Sequence, residues 1–222
     1  MTVLTEAKHL GDVVIQELER YASREQVTVL AGSGEARALV VGEVIGKITH
    51  GAATAAPNEA NTGDGVMGAV TLGALAEIGD YVLTCTAAAA DGGVFQVVAP
   101  SGYVLPPLTV AVAYAGDHLN MTLADGDADF IVGDQFTISI APGSGKMVAL
   151  TPAAVDGSQN AAGLMAAAVT APDGSDAPSV AVVRDAVVKL GGLTWPDAIT
   201  DDQKTAALAQ LKALGIVAGQ EV

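Results

Sequence analysis

A mainly β fold in two units, with one helix near the C-terminus, is what this sequence predicts. Three observations carry that reading. Short stretches of alternating apolar and polar residues recur at hairpin-like intervals between turn residues. A segment rich in Ala, Gly, Asn and Pro, and later a Pro-Gly-Ser-Gly step, divide the pattern into an outer and a middle part. Only from Thr200 onward does a helix-start signal precede an apolar stripe at helical spacing. The 222 residues are enough for two small domains with separate cores. Half of them are hydrophobic while aromatics make up only 4%, so burial comes from many small side chains, which suits short, closely packed strands.

Residues 1–25 mix charge and apolarity without a sustained period, apart from a short piece at 13–18, and read as an arm. From Gln26 the pattern turns strand-like: Val27 and Val29 alternate with Thr28 and Leu30, Gly32-Ser33-Gly34 makes a turn, and 38–48 is extended. Residues 51–65 lack periodicity and read as a linker. Strand candidates follow at 69–72, 80–86, 94–99, 108–114, 118–123 and 135–140, separated by turns such as Asp91-Gly92-Gly93 and Ala115-Gly116-Asp117. Residues 66–141 should therefore form a compact antiparallel sandwich or barrel. Pro142-Gly143-Ser144-Gly145 marks a second junction, and strands resume at 146–150, 164–170 and 179–183. Thr200-Asp201-Asp202-Gln203 has the capping-box arrangement, Ala207, Leu208, Leu211 and Leu214 form the helical stripe, and Gly215 supplies a left-handed stop.

Several function classes are disfavoured by composition. The formal charge of −15, from 25 acids against 10 bases, argues against a nucleic-acid partner, because phosphate binding needs clustered Lys and Arg. No run approaches the roughly 20 apolar residues of a bilayer span, so neither a membrane segment nor a signal peptide is expected. With Cys85 alone there is no intrachain disulfide, and it reads as a small core residue. His9, His50 and His118 have no metal-ligand spacing to other candidates. Gly143-Ser144-Gly145-Lys146-Met147 fails as a phosphate loop, since Ile140 and Met147 stand where Gly and Ser or Thr are required, and reads as a hinge. Gly32-Ser33-Gly34 begins like a dinucleotide fingerprint, but Arg37 takes the third glycine position. Asp125, Asp127 and Asp129 are spaced like the first ligands of a calcium loop, yet Phe130 and Phe136 replace its Gly and closing Glu, which leaves a solvated turn. No catalytic residue, cofactor or metal is assigned, and an enzyme is not expected.

The outer segments nevertheless match a known pattern. A short apolar run, Asp185-Ala186-Val187-Val188-Lys189-Leu190, leads to Thr194-Trp195-Pro196 and then directly to the acidic capped helix. Ser23-Arg24-Glu25-Gln26-Val27-Thr28 and Val41-Gly42-Glu43-Val44-Ile45-Gly46-Lys47 look like first core strands, and 161–168 is a weaker match. In these stretches the chain resembles the lambda-type head decoration family of tailed bacteriophages. The resemblance implies a β-clip-like core made of 26–50 and 143–222, with an inserted β domain and its leading linker at 51–142. It also implies a homotrimer on the outside of the expanded head, made in the host cytoplasm, that binds the major capsid protein through N-terminal arms and stabilises the shell.

Within that implied scheme, Glu17, Tyr21, Arg24, Val27 and Thr28 are the candidates for contact with the capsid. Trp195, Pro196, Leu208 and Leu211 are the candidates for the core or the trimer seam. An arm with free backbone donors and acceptors can add a strand to a neighbouring sheet, and three arms on one trimer multiply weak affinities. The rival reading is a phage tail, fibre or other surface β module whose middle domain binds a receptor or glycan. A host-surface ligand of that domain is not identified by any motif.

Overall fold

The computed structural model describes residues 6–219, and the chain divides into two compact units: residues 1–49 with 144–222, and residues 50–143. The molecule is mainly β. Among the described residues no helix is long and apolar enough to cross a membrane.

The outer unit is organised around a closed five-stranded barrel. Going round it, Met147–Ala149 is followed by Arg24–Val29, Ala177–Val182, Ala161–Met165 and Val44–Lys47, which pairs back to Met147–Ala149. All pairs are antiparallel except the one at Met147 and Val29. Because side chains alternate across a strand, three of the barrel strands, Val44–Lys47, Ala161–Met165 and Ala177–Val182, split their residues between two cores. Val27, Val29, Ile45, Met147, Met165 and Ala181 belong to one cluster. Their neighbours Val44, Leu164 and Val182 belong to another, with Ala207 and Leu211 of the C-terminal helix Asp201–Ala213. Burial on both faces explains why 181–183 is continuously apolar instead of alternating. At Gly163 the backbone takes φ +148°, and an added Cβ would lie 2.4 Å from the Val182 carbonyl, so the irregular register between Ala161 and Gly163 depends on glycine.

The helix begins as its sequence demands. Thr200 Oγ1 accepts from the Gln203 N–H at 3.2 Å, and Gln203 Oε1 accepts from the Thr200 N–H at 2.9 Å. Gln210 fastens the helix to the barrel, accepting from the Ala161 N–H at 2.7 Å and donating to Asn160 at 3.0 Å. After Gly215, at φ +78°, the chain forms the strand Ile216–Gly219 parallel to Ala186–Lys189. On the other side of Ala186–Lys189 lies Val14–Glu17, antiparallel, giving a three-stranded sheet.

In the middle unit a five-stranded antiparallel sheet runs in the order His50–Pro57, Gln135–Pro142, Gly79–Ala89, Gly92–Val98, Val104–Thr109. A smaller sheet of Tyr114–Ala115, Leu119–Met121 and Thr71–Leu72 shares its core. The chain has three phenylalanines, and all of them meet here. Phe95, Phe130 and Phe136 stack edge to face, with ring centroids 5.1 to 5.9 Å apart. Cys85 is buried in the same core, where burial pushes its thiol pKa up.

Four expectations are corrected. The segment from 13 to 25 is not a free arm: Val13 is fully buried and Val14–Glu17 is hydrogen-bonded into a sheet, because three apolar residues in a row suffice for a short edge strand. The supposed linker starts with the eight-residue strand His50–Pro57, whose alanines and glycine hid it from a pattern that relies on bulky residues. The expected strand at 108–114 lies earlier, at Val104–Thr109, and includes Pro106 and Pro107, which a sheet edge tolerates. Residues 164–170 form two strands, Ala161–Met165 and Val169–Ala171, in different sheets.

Candidate functional site

The N-terminal candidates fall on a strand, a four-residue helix and the first barrel strand, and they have different environments. Glu17 ends the strand Val14–Glu17, and Arg24 opens the barrel strand Arg24–Val29. Arg24 Nε and an Nη group donate to the two carboxylate oxygens of Glu17 at 2.7 Å each, a two-pronged pair that closes the intervening turn. That hydrogen bonding raises the Arg24 pKa despite partial burial. Inside the closed turn, Ser23 is buried and donates to the Asp185 carbonyl at 2.9 Å. Tyr21 stands on the short helix Arg20–Ser23 with 90% of its surface exposed, and Leu18 just before it is 79% exposed. Val27 faces the barrel core and Thr28 faces solvent opposite Pro178. Burial therefore removes Val27 from the residues that can touch a partner.

Leu18 and Tyr21 are two of several large apolar residues exposed on the outer unit. Ile15 and Val217, on the two edge strands of the three-stranded sheet, are exposed, as is Leu214 at the end of the helix. Beside them Gln16, Leu18, Asp185, Ala186, Val187 and Gly215 line a shallow groove of about 210 Å³. Among the described residues, Val14–Glu17 and Ile216–Gly219 are the edge strands of this sheet. This part of the outer unit thus offers exposed apolar side chains and a tyrosine hydroxyl.

The C-terminal candidates sit on the opposite side of the same economy. Leu211 is fully buried, whereas Trp195, Pro196 and Leu208 are half-buried, with Trp195 and Leu208 packed against the cluster that contains Val13, Val44, Leu193 and Ile216. The segment before Trp195 is tied down by Thr194, whose N–H donates to the Gly42 carbonyl at 2.8 Å and whose carbonyl accepts from the Val44 N–H at 3.0 Å.

Other chemistry-bearing residues have structural partners. His118 Nδ1 lies 3.2 Å from the Tyr81 hydroxyl, which accepts from the Glu77 N–H at 2.7 Å, while Glu77 receives the Ser101 N–H and hydroxyl at 2.9 Å each. His50 Nε2 is 3.0 Å from the Ala76 carbonyl. His9 is exposed beside Glu6. Lys146, the lysine of the failed phosphate loop, pairs with Asp176 at 2.6 Å. The acidic turn is arranged differently from its sequence spacing: Asp91 joins Asp125 and Asp129, with ligand atoms within 4.8 Å of one another, while Asp127 stays outside the group. Asp125 Oδ1 is shielded from solvent and accepts no hydrogen bond.

The comparison with known families decides what kind of protein carries this surface. The model described as bacteriophage lambda head decoration protein D matches residues 3–216. The chain belongs to that family. The match spans the middle segment as well as the two outer stretches that carried the resemblance, so this decoration protein is covered nearly end to end. Its family is one of structural phage proteins, which makes the chain a component of the phage head that binds the capsid. No curated protein matches it. Among solved structures, FlgL of Xanthomonas campestris is similar at 19% identity, over 49% of this chain and 34% of that one, with a TM-score of 0.31. The flagellar hook junction protein FlgK from Burkholderia pseudomallei is similar at 22% identity, over 57% of this chain and 21% of that one, with a TM-score of 0.32. The chain spans 34% and 21% of the length of these flagellar proteins, and the likeness carries no argument about function.

Proposed function

We propose that this decoration protein coats the outside of the expanded head as a homotrimer and cements it through the apolar surface around Leu18 and Tyr21. The observation that carries this reading is the exposure of those two side chains on a turn locked by the Glu17–Arg24 pair. Because the Glu17–Arg24 pair fixes the ends of the turn, docking has less backbone to order, and burial of the two side chains supplies the affinity. Residues 1–25 contribute this turn and the edge strand Val14–Glu17, while the rest of 26–50 and 143–222 provides the trimerising core, with Trp195 and Leu208 beside the seam. The unit at 50–143 stands as an inserted domain. Three copies of the docking turn on one trimer act with an avidity gain of about 10² to 10⁴. Binding only the expanded lattice lowers its free energy relative to disrupted states, which is stabilisation by mass action.

The test uses purified chain and expanded capsids stripped of decoration. Light scattering of the free protein is expected to give three chain masses, and wild-type protein should sediment with the capsids. A Leu18→Asp, Tyr21→Ser double variant should keep its melting temperature and its mass but lose at least tenfold in capsid binding. Unchanged sedimentation of the double variant would move attachment to another face.

A further inference from the structure

The five-stranded sheet of the middle unit has two edges, and they are treated in opposite ways. Val104–Thr109 carries Pro106 and Pro107, which remove two backbone donors and block further pairing. His50–Pro57 pairs with Gln135–Pro142 on one side, and on the other side residues 52–57 have no strand neighbour among the described residues. It is eight residues long, its proline comes only at the end, and Thr54 through Pro57 are exposed. Proteins commonly guard such edges with Lys, Pro or a bulge. Here residues 48–58 contain no Asp, Glu, Lys or Arg, in a chain with a formal charge of −15.

The sequence of this edge is a palindrome. Residues 52–56 read Ala-Ala-Thr-Ala-Ala, centred on Thr54. An antiparallel pair formed by two copies of one strand is related by a two-fold axis, so its residues must be complementary to themselves. With the axis at Thr54, each Thr54 faces its equivalent, Ala53 faces Ala55 and Ala52 faces Ala56. We propose that His50–Pro57 is a homotypic pairing edge, joining the five-stranded sheet of one copy to that of a second copy of this chain. Register with the neighbouring strand is regular from Ala53 to Pro57, and an irregularity lies between His50 and Ala53. Ala53 and Ala55 stand beside Ile140 and Ile138 on the core face, and Thr54 stands beside Ser139 on the outer face. The threonines then form a cross-strand pair, alanines meet without steric conflict, and no like charges are opposed. A two-fold contact does not close a three-fold ring, so it links one oligomer to the next. It does not depend on the capsid-cementing role proposed above, and capsids play no part in its test.

Cysteine scanning of the full chain reads out both the contact and its register. The native Cys85 is buried and the wild-type protein serves as its control. Thr54→Cys, mildly oxidised at high micromolar concentration, is expected to run mostly as a disulfide-linked dimer, since directly opposed Cβ atoms lie about 4.5 to 5.5 Å apart. Ala52→Cys alone should link at least tenfold less, and mixing it with Ala56→Cys should restore the dimer. Thr54→Lys, at an exposed position, should abolish the association of one oligomer with the next in sedimentation at high micromolar concentration, leaving the oligomer of the dilute protein and the melting temperature unchanged. Failure of Thr54→Cys to link, or equal linking at 52, 54 and 56, would overturn the proposal, as would unchanged association of a folded Thr54→Lys.

Discussion

Asp134 is one of three buried polar residues among those described, and it organises the loop that follows the first strand of the middle unit. Its carboxylate accepts the N–H groups of Thr62, Gly63 and Ile131 at 3.0, 2.9 and 3.1 Å. Burial pushes its pKa up, and the three backbone donors more than offset this, leaving it below the usual carboxylate value. The folded state therefore binds fewer protons than the unfolded chain in the window just below the ordinary Asp pKa of about 3.9. The stabilisation is present above that value and is lost as pH falls through the lowered one. Asp134→Asn should cost about 1 to 3 kcal/mol at neutral pH, because an amide cannot satisfy three donors as a carboxylate does. Melting curves from pH 7 to pH 2 should show the two proteins converging in acid. A constant gap across that range would mean that the charge has no part in it. Nothing in the sequence marked Asp134 over the other acids, since two of its three donors are 71 and 72 residues away. Tyr21 was legible as a candidate, but Leu18 was missed: an apolar residue counts toward a core until a structure shows it 79% exposed.

At the scale of the element, the C-terminal helix shows what local chemistry can specify. Its cap, Thr200 with Gln203, is made by residues three apart, and both reciprocal hydrogen bonds form. Thr200→Ala should destabilise the protein by about 0.5 to 2 kcal/mol, typically about 1. A Thr200→Ser variant should recover most of that loss. Equal melting of Ala and wild type would show the helix start to be held by packing alone. The helix stop at Gly215 was equally readable, but the strand Ile216–Gly219 was not, because a parallel partner at Ala186–Lys189 lies about 30 residues upstream and leaves no local trace. Strands were legible where bulky residues alternate, as in Gln135–Pro142, and illegible where small ones pair, as in His50–Pro57. Trp195 was noticed for its place before the helix. Its half-buried setting follows from the barrel surface it packs on, which the sequence does not order in space.

The whole molecule is built by interrupting a hairpin of the outer barrel. Val44–Lys47 and Met147–Ala149 pair antiparallel with Lys47 opposite Met147, and the ladder continues past them: the Ile48 N–H donates to the Lys146 carbonyl at 3.0 Å, and the Gly145 N–H donates to the Ile48 carbonyl at 2.9 Å. The chain thus leaves and re-enters the outer unit at hydrogen-bonded neighbours. The middle unit has the same property from its own side, where His50 pairs with Pro142. An excursion of this form adds almost no closure strain to either unit, since each presents ends already one strand-spacing apart. The buried clusters follow the same division, with every residue of the aromatic core lying between Leu72 and Ile140. Replacing residues 50–143 by a short Gly-rich turn should therefore yield a soluble outer unit whose barrel and helix melt cooperatively. Its amide spectrum should superimpose on that of the full chain for residues far from 48 and 145, and it should keep the trimer and the capsid binding proposed for the full chain while losing any pairing through the removed strand His50–Pro57. The excised segment, expressed alone from His50 to Gly143, should fold with its tyrosine and phenylalanine core intact. Aggregation of both pieces across several turn lengths would show that the two units stabilise one another, and that the hairpin geometry at 48 and 145 is a consequence of their association and not a condition for it.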